Sequence, residues 1–215
     1  MIFTISTFNV WNAKGKRLYK IIDFLRKNEF SVIGLQEIGE KELTIIAKEL
    51  KMNYIWTGVT HIGNGMLIHC SMDIKNHKTY KLSTYTGEIR TAIYAYCKTP
   101  IGNLSIVTTH LDHINETTRI DQWNILQTII PKNIDIIIGD FNSLYLEDYS
   151  TEKLNKITKI RQESSWELPT DKLMQSIKKD GWVIYNYTHY RSVWFTSCHI
   201  FFNTIIYEIQ CLIYQ

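Results

Sequence analysis

Four strongly apolar runs of this chain each lead into polar side chains, and this pattern limits the folds that the chain can adopt. The runs are short and rich in β-branched residues, as buried strands are. The polar residues that follow them are Asn9, Glu37, His110, and Asp140 with Asn142. Taken singly, each has a structural explanation, since amides and carboxylates also occur in turns and at helix starts. Because ligands of α/β sheets collect at one end of the strands, we expect these groups to converge on one pocket.

Segments with helical spacing lie between these strands. Apolar residues recur every three or four positions within 18–25, 43–50 and 119–130, and a further helix is predicted over 171–179. From Tyr54 to Thr109, short extended runs alternate with turn residues such as Gly63-Asn64-Gly65, which predicts antiparallel hairpins. We therefore predict an α/β fold, a two-layer sandwich of mixed, mostly antiparallel sheets flanked by helices.

Length, charge and cysteine content narrow the class of protein. A chain of 215 residues without a Pro-, Gly- or Ser-rich linker fits one domain, residues 1–215. The formal net charge of +3 permits a phosphate-bearing substrate without requiring one. The four cysteines are scattered, so we expect free thiols in a reducing compartment. No signal peptide is visible and no run reaches the ~18 apolar residues of a membrane span, so we expect the protein in the cytoplasm or nucleus. We also expect it to be a monomer.

The polar residues after the strands lie in motifs whose order and separations resemble the signature blocks of the endonuclease/exonuclease/phosphatase superfamily. The motifs are Thr7-Phe8-Asn9-Val10-Trp11-Asn12, Gly34-Leu35-Gln36-Glu37, Thr109-His110-Leu111-Asp112-His113 and Gly139-Asp140-Phe141-Asn142. The stretch Glu88-Ile89-Arg90-Thr91-Ala92, with Arg119 and Gln122 further on, resembles bacterial-type members. The resemblance is specific over residues 2–145 and loose over 165–215.

This resemblance implies a fold, a reaction and a metal. Members are sandwiches of two mixed sheets that bind a divalent cation, usually Mg²⁺ and here Mg²⁺ or Mn²⁺, and cleave a phosphate ester with water. By position, Glu37 is implied as the principal metal ligand, with Asn9 beside it. Independently of the family, Mg²⁺ prefers hard oxygen ligands and takes one or two carboxylates from a protein. Such a cation polarises a phosphoryl oxygen and offsets developing charge.

The same resemblance implies catalytic roles for further residues. Asp140 is implied to orient or deprotonate the attacking water, and a positioned general base contributes roughly 10²–10⁴ in rate. His110 and Asn142 are implied to donate hydrogen bonds to the phosphate oxygens, and Glu88 is implied to orient His110. Neutral amide and imidazole donors suit this task because they supply fixed electrostatic stabilisation.

The sequence departs from the family pattern in two places. Trp11 stands where some members carry an acidic residue, which argues against a close match to abasic-site endonucleases. Members end in a Ser-Asp-His block, whereas residues 192–215 contain no Asp and have His199 as their one histidine. We therefore expect a domain that is truncated or degenerate after about residue 190, with its last strand or strands incomplete. Losing a metal ligand and an acid/base group together costs several orders of magnitude in rate, so we expect little activity from this chain alone.

Alternatives remain for the function and for two motifs. The favoured function is a nuclease or phosphodiesterase acting on nucleic acid. The alternatives are an inactive phosphate- or nucleic-acid-binding remnant of the fold, and a lipid or inositol phosphatase. His110-x-x-His113 is a weak zinc pair, because no further His or Cys lies at a suitable spacing. Lys14, Lys16 and Arg17 can contact phosphate, although a solvated loop and helix start is the commoner explanation.

Overall fold

The computed structural model describes residues 3–84, 87–185, 198–202 and 209–214. Within them the strands are β1 (Phe3–Asn9), β2 (Val32–Ile38), β3 (Met52–Gly58), β4 (Gly63–His69), β5 (Asp73–Leu82), β6 (Arg90–Thr99), β7 (Gly102–His110), β8 (Ile136–Asp140), β9 (Val183–Tyr185), β10 (Cys198–Phe202) and β11 (Ile209–Tyr214). The helices are α1 (Lys16–Asn28), α2 (Glu40–Leu50), α3 (Glu116–Ile129), α4 (Thr151–Glu163) and α5 (Lys172–Lys179), with a 3-10 turn at Leu146–Asp148.

The strands form two sheets that pack face to face. Among the described strands, one sheet has five in the order β11-β1-β2-β4-β3, and the other has six in the order β5-β6-β7-β8-β10-β9. β1 runs parallel to both β2 and β11, and β7 runs parallel to β8. The remaining pairs are antiparallel. The parallel pairs bring the residues that follow β1 and β2 to one edge of the first sheet, and those that follow β7 and β8 to one edge of the second.

Successive side chains of a strand point to opposite faces of its sheet, so one strand can contribute both to the core between the sheets and to a core beneath the helices. In β8, Ile136 and Ile138 belong to the core between the sheets, whereas Ile137 belongs to the core beneath the helices. Helices α3 and α5 cover that outer face with Trp123, Leu126 and Ile177 among others. Helices α1 and α2 cover the outer face of the first sheet with residues that include Leu18, Ile22, Leu43 and Ile46. Each sheet is therefore buried on two faces.

The predicted fold class is confirmed. The regions predicted to be helical correspond to α1, α2, α3 and α5. Helix α4 was not predicted; its apolar residues are few and only Ile157 and Arg161 of this helix are buried. The turn predicted at Gly63–Gly65 is wrong, since these residues begin β4 and the bend precedes them at 59–61. Within the described residues, no helix is long and apolar enough to cross a membrane.

Candidate active site

Asn9 joins the two sheets at the edge where the polar residues collect. Its Nδ2 donates to Glu37 Oε1 at 2.9 Å and to Asp140 Oδ2 at 3.0 Å. Glu37 belongs to β2 in the same sheet, whereas Asp140 ends β8 in the opposite sheet. Two carboxylates that lie 28 and 131 positions away in the sequence thus share one amide group.

The sheets approach each other closely behind this contact. A Cβ added at Gly34 would lie 2.6 Å from Thr108 Oγ1 and 2.8 Å from Ile138 Cδ1. Gln36 is buried in the same layer, where it accepts from Thr7 Oγ1 at 3.2 Å and donates to Thr108 Oγ1 at 3.3 Å. Gln36 therefore bridges β2 to β7, and its hydrogen bonds satisfy a polar group that would otherwise be costly to bury.

Residues with a left-handed backbone gather around the same edge. Those next to the strand ends are Trp11 (φ 46°), Asn12 (φ 50°), Glu37 (φ 55°) and Asn142 (φ 51°). The pairing register of β2 with β4 shifts at Glu37, as in a β-bulge. The backbone of Glu37 is held by a bond from Asn12 N to its carbonyl at 2.8 Å. Backbone strain of this kind costs of order 1–3 kcal/mol per residue and is concentrated at functional sites.

Asp140 carries a perturbed carboxyl group. Its side chain is fully buried, and Asn142 N donates to its Oδ1 at 3.0 Å. Burial raises the pKa of Asp140 from 3.8 to about 6, and the nearby charge of Glu37 acts in the same direction. The hydrogen bonds from Asn9 and Asn142 lower this pKa and oppose the effect of burial. Two carboxylates around one neutral donor concentrate negative charge, which favours a bound cation or a shared proton.

His110 and Asn142 form a hydrogen-bonded pair beside Asp140. Asn142 Nδ2 lies 3.0 Å from both Leu111 O and His110 Nε2. A carbonyl only accepts, so the amide nitrogen faces Leu111 and its second proton is directed at the imidazole Nε2, which must accept it. Burial, followed by the charge of Arg90, holds the pKa of His110 well below its usual range. His110 is therefore a neutral ring that fixes the orientation of Asn142.

Arg90 lies at the site, although no role was predicted for it from the sequence. Its Nη1 is 3.5 Å from His110 Nδ1 and its Nη2 is 2.8 Å from His113 Nδ1. Its Nε is buried and has no hydrogen-bond partner among the described residues. Glu88 Oε2 pairs with Arg90 Nη2 at 3.2 Å, so Glu88 is connected to His110 through Arg90. The pairing of β6 with β7 was the available signal, because it places Arg90 opposite the residues that follow Thr109.

Two buried residues of α3 hold the loops that carry these groups. Gln122 accepts from Asp112 N at 2.7 Å and donates to Glu88 O at 3.2 Å. Arg119 donates to Asp112 O at 3.2 Å and pairs with Glu116 at 2.8 Å. Arg119 and Gln122 therefore fix the backbone of the segments that contain Asp112 and Glu88.

The donor set at this edge fits a hard divalent cation. Glu37 and Asp140 supply carboxylate oxygens, Asn9 supplies a carboxamide, and no lysine or arginine of the described residues forms an ion pair with either carboxylate. Within the part of the chain that the structure describes, no group of three or more His, Cys, Asp or Glu side chains is arranged to hold a metal. Mg²⁺ commonly binds through one or two protein carboxylates, with water and substrate phosphate completing its ligands, so this sparse set is compatible with it.

The remaining predicted motifs lie at the margin or outside the described residues. The zinc pair is not favoured, because Nδ1 of both His110 and His113 faces the guanidinium of Arg90. In β10 the backbone of His199 pairs with Gly139, and that of Cys198 with Asp140. Much of the predicted departure over 192–215 falls at 192–197, 203–208 and 215, outside the described residues.

Several solved structures share this fold at low sequence identity. A mannosyl-6-phosphatase from Bacteroides thetaiotaomicron is 18% identical with a TM-score of 0.64, over 92% of this chain and 84% of that chain. An endonuclease/exonuclease/phosphatase family protein from the same organism is 16% identical with a TM-score of 0.67, over 93% and 82%. A truncated TDP2 from Caenorhabditis elegans is 14% identical with a TM-score of 0.60, over 92% and 82%.

Similarity at the level of sequence is confined to a family profile. No curated protein matches the chain significantly. The profile of the Endonuclease/Exonuclease/phosphatase family matches residues 6–203, which is most of the chain. The hydrolase and phosphatase kinds of enzyme that this family unites agree with the cluster of carboxylate, amide and imidazole groups at the strand ends. The chain belongs to the Endonuclease/Exonuclease/phosphatase family.

Proposed function

We propose that this protein is a Mg²⁺- or Mn²⁺-dependent phosphoester hydrolase whose substrates are nucleic-acid phosphodiesters. The observation that carries the proposal is the convergence of Glu37 and Asp140, from opposite sheets, on the single amide of Asn9. A fold gains little stability from gathering two carboxylates in a partly buried place, because their charges repel. The arrangement is useful when a cation and a phosphate bind there.

Glu37 and Asn9 are the residues that would hold the cation. When bound, the ion polarises the phosphoryl oxygen and offsets the negative charge that builds during hydrolysis. Asn9 would bind the ion through Oδ1 once its amide turns, because Oδ1 accepts from Trp11 N at 2.9 Å and Nδ2 faces Glu37. The β-bulge holds Glu37 in place before any ligand arrives. Such preorganisation lowers the cost of assembling the reacting groups.

Asp140 would orient the attacking water and accept its proton. The pKa of about 6 lies near neutral pH, where a general base is most effective, and the carboxylate form predominates above that value. Asn9 and Asn142 N fix both oxygens of the carboxylate, so its remaining lone pairs are directed into the site. His110 Nε2 lies 4.0 Å from Asp140 Oδ2 and is too far to bond to it directly.

Asn142 and Arg90 would bind the phosphate oxygens. Asn142 is an amide donor fixed by His110 and Leu111. Arg90 brings a positive charge, and its buried Nε has no partner in the described part of the chain. In this scheme His110 positions Asn142 and donates to the phosphate only after its bond with Asn142 changes. Glu88 pairs with Arg90, whose Nη1 lies 3.5 Å from His110 Nδ1. Because Nε2 accepts from Asn142, Nδ1 carries the ring proton, so Glu88 acts on His110 only by fixing the position of the Arg90 charge beside it.

A second candidate function is a phosphate- or nucleic-acid-binding protein without turnover. It is favoured by the full burial of Asp140, the residue assigned as the general base. The expectation of little activity from this chain stays a prediction, and the measured rate decides between the two functions.

Hydrolysis of bis(4-nitrophenyl) phosphate, a generic phosphodiester, tests the proposal. We expect slow hydrolysis that requires Mg²⁺ or Mn²⁺ and stops with EDTA. Glu37→Gln should lower the rate at least roughly a hundredfold, because Lewis-acid stabilisation is worth several kcal/mol. Glu40→Gln is the matched control, since Glu40 is an exposed residue at the start of α2, and it should leave the rate unchanged.

Three outcomes contradict the proposal. Hydrolysis that is equal in Glu37→Gln and wild type would show that the activity belongs to another site or to a contaminant. No hydrolysis by wild type, together with salt-dependent binding of an oligonucleotide, would favour the silent binding protein. Faster release of phosphate from a monoester headgroup than from the diester would favour a lipid or inositol phosphatase.

A further inference from the structure

The loop after β1 presents an exposed tryptophan beside Asn9. Trp11 is 61% exposed, although large aromatic side chains are usually buried. Its backbone has a φ of 46°, and its N–H donates to Asn9 Oδ1 at 2.9 Å. The indole is thus held on a strained backbone two residues beyond the proposed metal ligand. A ring that is 61% exposed beside the proposed metal ligand offers a surface on which a ligand can stack.

Arg17 lies against this ring, and three more cations are close to it in the sequence. The guanidinium of Arg17 lies over the Trp11 ring, 5.6 Å from its centroid, and Arg17 Nη1 donates to Trp11 O at 3.5 Å. Lys14, Lys16 and Lys20 are exposed nearby in the sequence. Segment 10–22 contains these four cations and no Asp or Glu. Among the described residues, none of the four forms an ion pair.

We propose that Trp11 and Arg17 form a base-stacking subsite for single-stranded nucleic acid, adjacent to the hydrolytic centre. The inference rests on the proposed function and deepens it by naming the substrate class. Single-strand sites combine aromatic rings, on which bases stack, with cations that follow the phosphate backbone. Trp11 supplies the ring, and Arg17, whose guanidinium lies over it, supplies the charge.

Charge decides between a nucleic-acid strand and a small sugar phosphate. A tryptophan ring can also stack on a pyranose, but a sugar phosphate brings one phosphate group, whereas Lys14, Lys16, Arg17 and Lys20 are four cations within seven residues that contain no acid. A strand supplies one phosphate per nucleotide to such a group of cations. The bases of a duplex are stacked on one another, so an exposed indole favours a single strand.

Equilibrium binding of a fluorescein-labelled octathymidylate, measured by anisotropy in EDTA, tests the subsite. Trp11→Ala is expected to weaken binding about fivefold or more, as the removal of one stacking platform does. Trp11→Phe should restore most of the affinity, because a smaller aromatic ring still stacks. Tyr54→Ala is the matched control, since Tyr54 is 40% exposed on β3, which β2 and β4 separate from β1, and it should bind as wild type does.

Salt dependence tests the role of Arg17. Each phosphate that the protein no longer neutralises should make the slope of log K against log salt shallower by about 0.7. Arg17→Ala should show this change, whereas Lys78→Ala, which removes an exposed cation of the edge strand β5, should not. A slope that Arg17→Ala leaves unchanged would contradict the role of Arg17. Thermal unfolding of each variant shows whether it is folded.

The outcomes of these experiments distinguish a failure of the stacking subsite from a failure of the proposed hydrolase function. Oligonucleotide affinity that is equal in wild type and Trp11→Ala overturns the subsite, even if the generic diester is hydrolysed. Binding that depends on Trp11 without any hydrolysis supports the subsite and overturns the proposed function alone. Tighter binding of a hexose 6-phosphate than of thymidine 5′-phosphate by wild type also overturns the subsite.

Discussion

At the scale of single residues, the neutrality of Asn9 matters most. One amide donates to Glu37 and Asp140 together, so it holds two carboxylates close without cancelling their charge. A lysine at this position would neutralise them and leave no place for a cation, and an aspartate would add a third negative charge. The same balance is visible in Asp140, whose pKa is raised by burial more than its hydrogen bonds lower it.

The raised pKa of Asp140 predicts a pH-dependent loss of stability. Because the folded state holds the proton more tightly than the unfolded state, the stability that Asp140 contributes falls as pH rises from about 4 through 6. Asp140→Asn cannot titrate at this position. The free energy of unfolding of the variant minus that of wild type should grow by roughly 1–3 kcal/mol between about pH 4 and pH 7.

Chemical denaturation of both proteins at several pH values measures this difference. EDTA must be present, because a bound cation would stabilise the carboxylate. Comparing the difference across pH removes any pH-independent cost of placing a second amide beside Asn9. A difference that is constant over the range contradicts the prediction.

At the scale of elements, glycines allow neighbouring strands to approach closely, and this approach sets the positions of the strand ends. A Cβ at Gly139 would lie 2.0 Å from Thr109 O, so only glycine allows β8 to lie this close to β7. Gly34 likewise allows β2 of the first sheet to lie close to Thr108 and Ile138 of the second sheet. The distance between Glu37 and Asp140 therefore depends on residues that carry no functional group.

Gly34→Ala is expected to separate the sheets and impair the site. The added methyl group meets Thr108 and Ile138, and overpacking of this kind costs typically about 1–3 kcal/mol. We expect the free energy of unfolding to fall by about that amount, and the rate of diester hydrolysis by the folded protein to fall as well. Urea denaturation and hydrolysis assays measure the two effects.

Gly65→Ala is a matched control for this effect. Its Cβ would meet the side chain of Leu43 at 2.8 Å, which is similar crowding on the helix-covered face of the first sheet. It should reduce stability comparably but change hydrolysis less, because the gap between the sheets is not affected. Equal loss of activity in both variants would show that the spacing between the sheets is not what matters.

At the scale of the whole molecule, the site joins two sheets whose shared core is mostly apolar. Residues such as Ile5, Val32, Ile106 and Ile138 form that inner core. A cation held by Glu37 and Asn9, beside Asp140 of the opposite sheet, would bind the folded state and have no matching site in the unfolded chain. Binding to the folded state alone raises stability with ligand concentration.

We therefore expect Mn²⁺ or Mg²⁺ to raise the melting temperature of wild type. At about a hundred times the dissociation constant, the gain is roughly 2.7 kcal/mol. The same cations should leave the melting temperature of Glu37→Gln nearly unchanged, and Glu40→Gln should respond as wild type does. Differential scanning fluorimetry with and without EDTA measures this without requiring turnover. An equal rise in wild type and Glu37→Gln would contradict the assignment of Glu37.

Local sequence was sufficient to predict the strand runs, four of the five helices in the described part of the chain and the polar residues that follow the strands. These features depend on the alternation or helical spacing of apolar residues, which is visible in the sequence. Helix α4 was missed because it buries only Ile157 and Arg161, and three apolar residues among polar ones give a weak periodic signal. The turn predicted at Gly63–Gly65 was wrong because glycine also occurs where two strands approach closely, as Gly63 does with Thr57 O at 2.0 Å from its added Cβ.

The sequence alone determined the fold class and the family, since both follow from patterns within short segments. Only the tertiary structure decided that Asn9 bonds Glu37 and Asp140 together, that Arg90 stands between Glu88 and His110, and that His110 accepts from Asn142. These contacts join residues far apart in the chain and depend on how closely the two sheets pack. The distances between residues of opposite sheets depend on all the side chains packed between the sheets, so a local sequence pattern does not predict them.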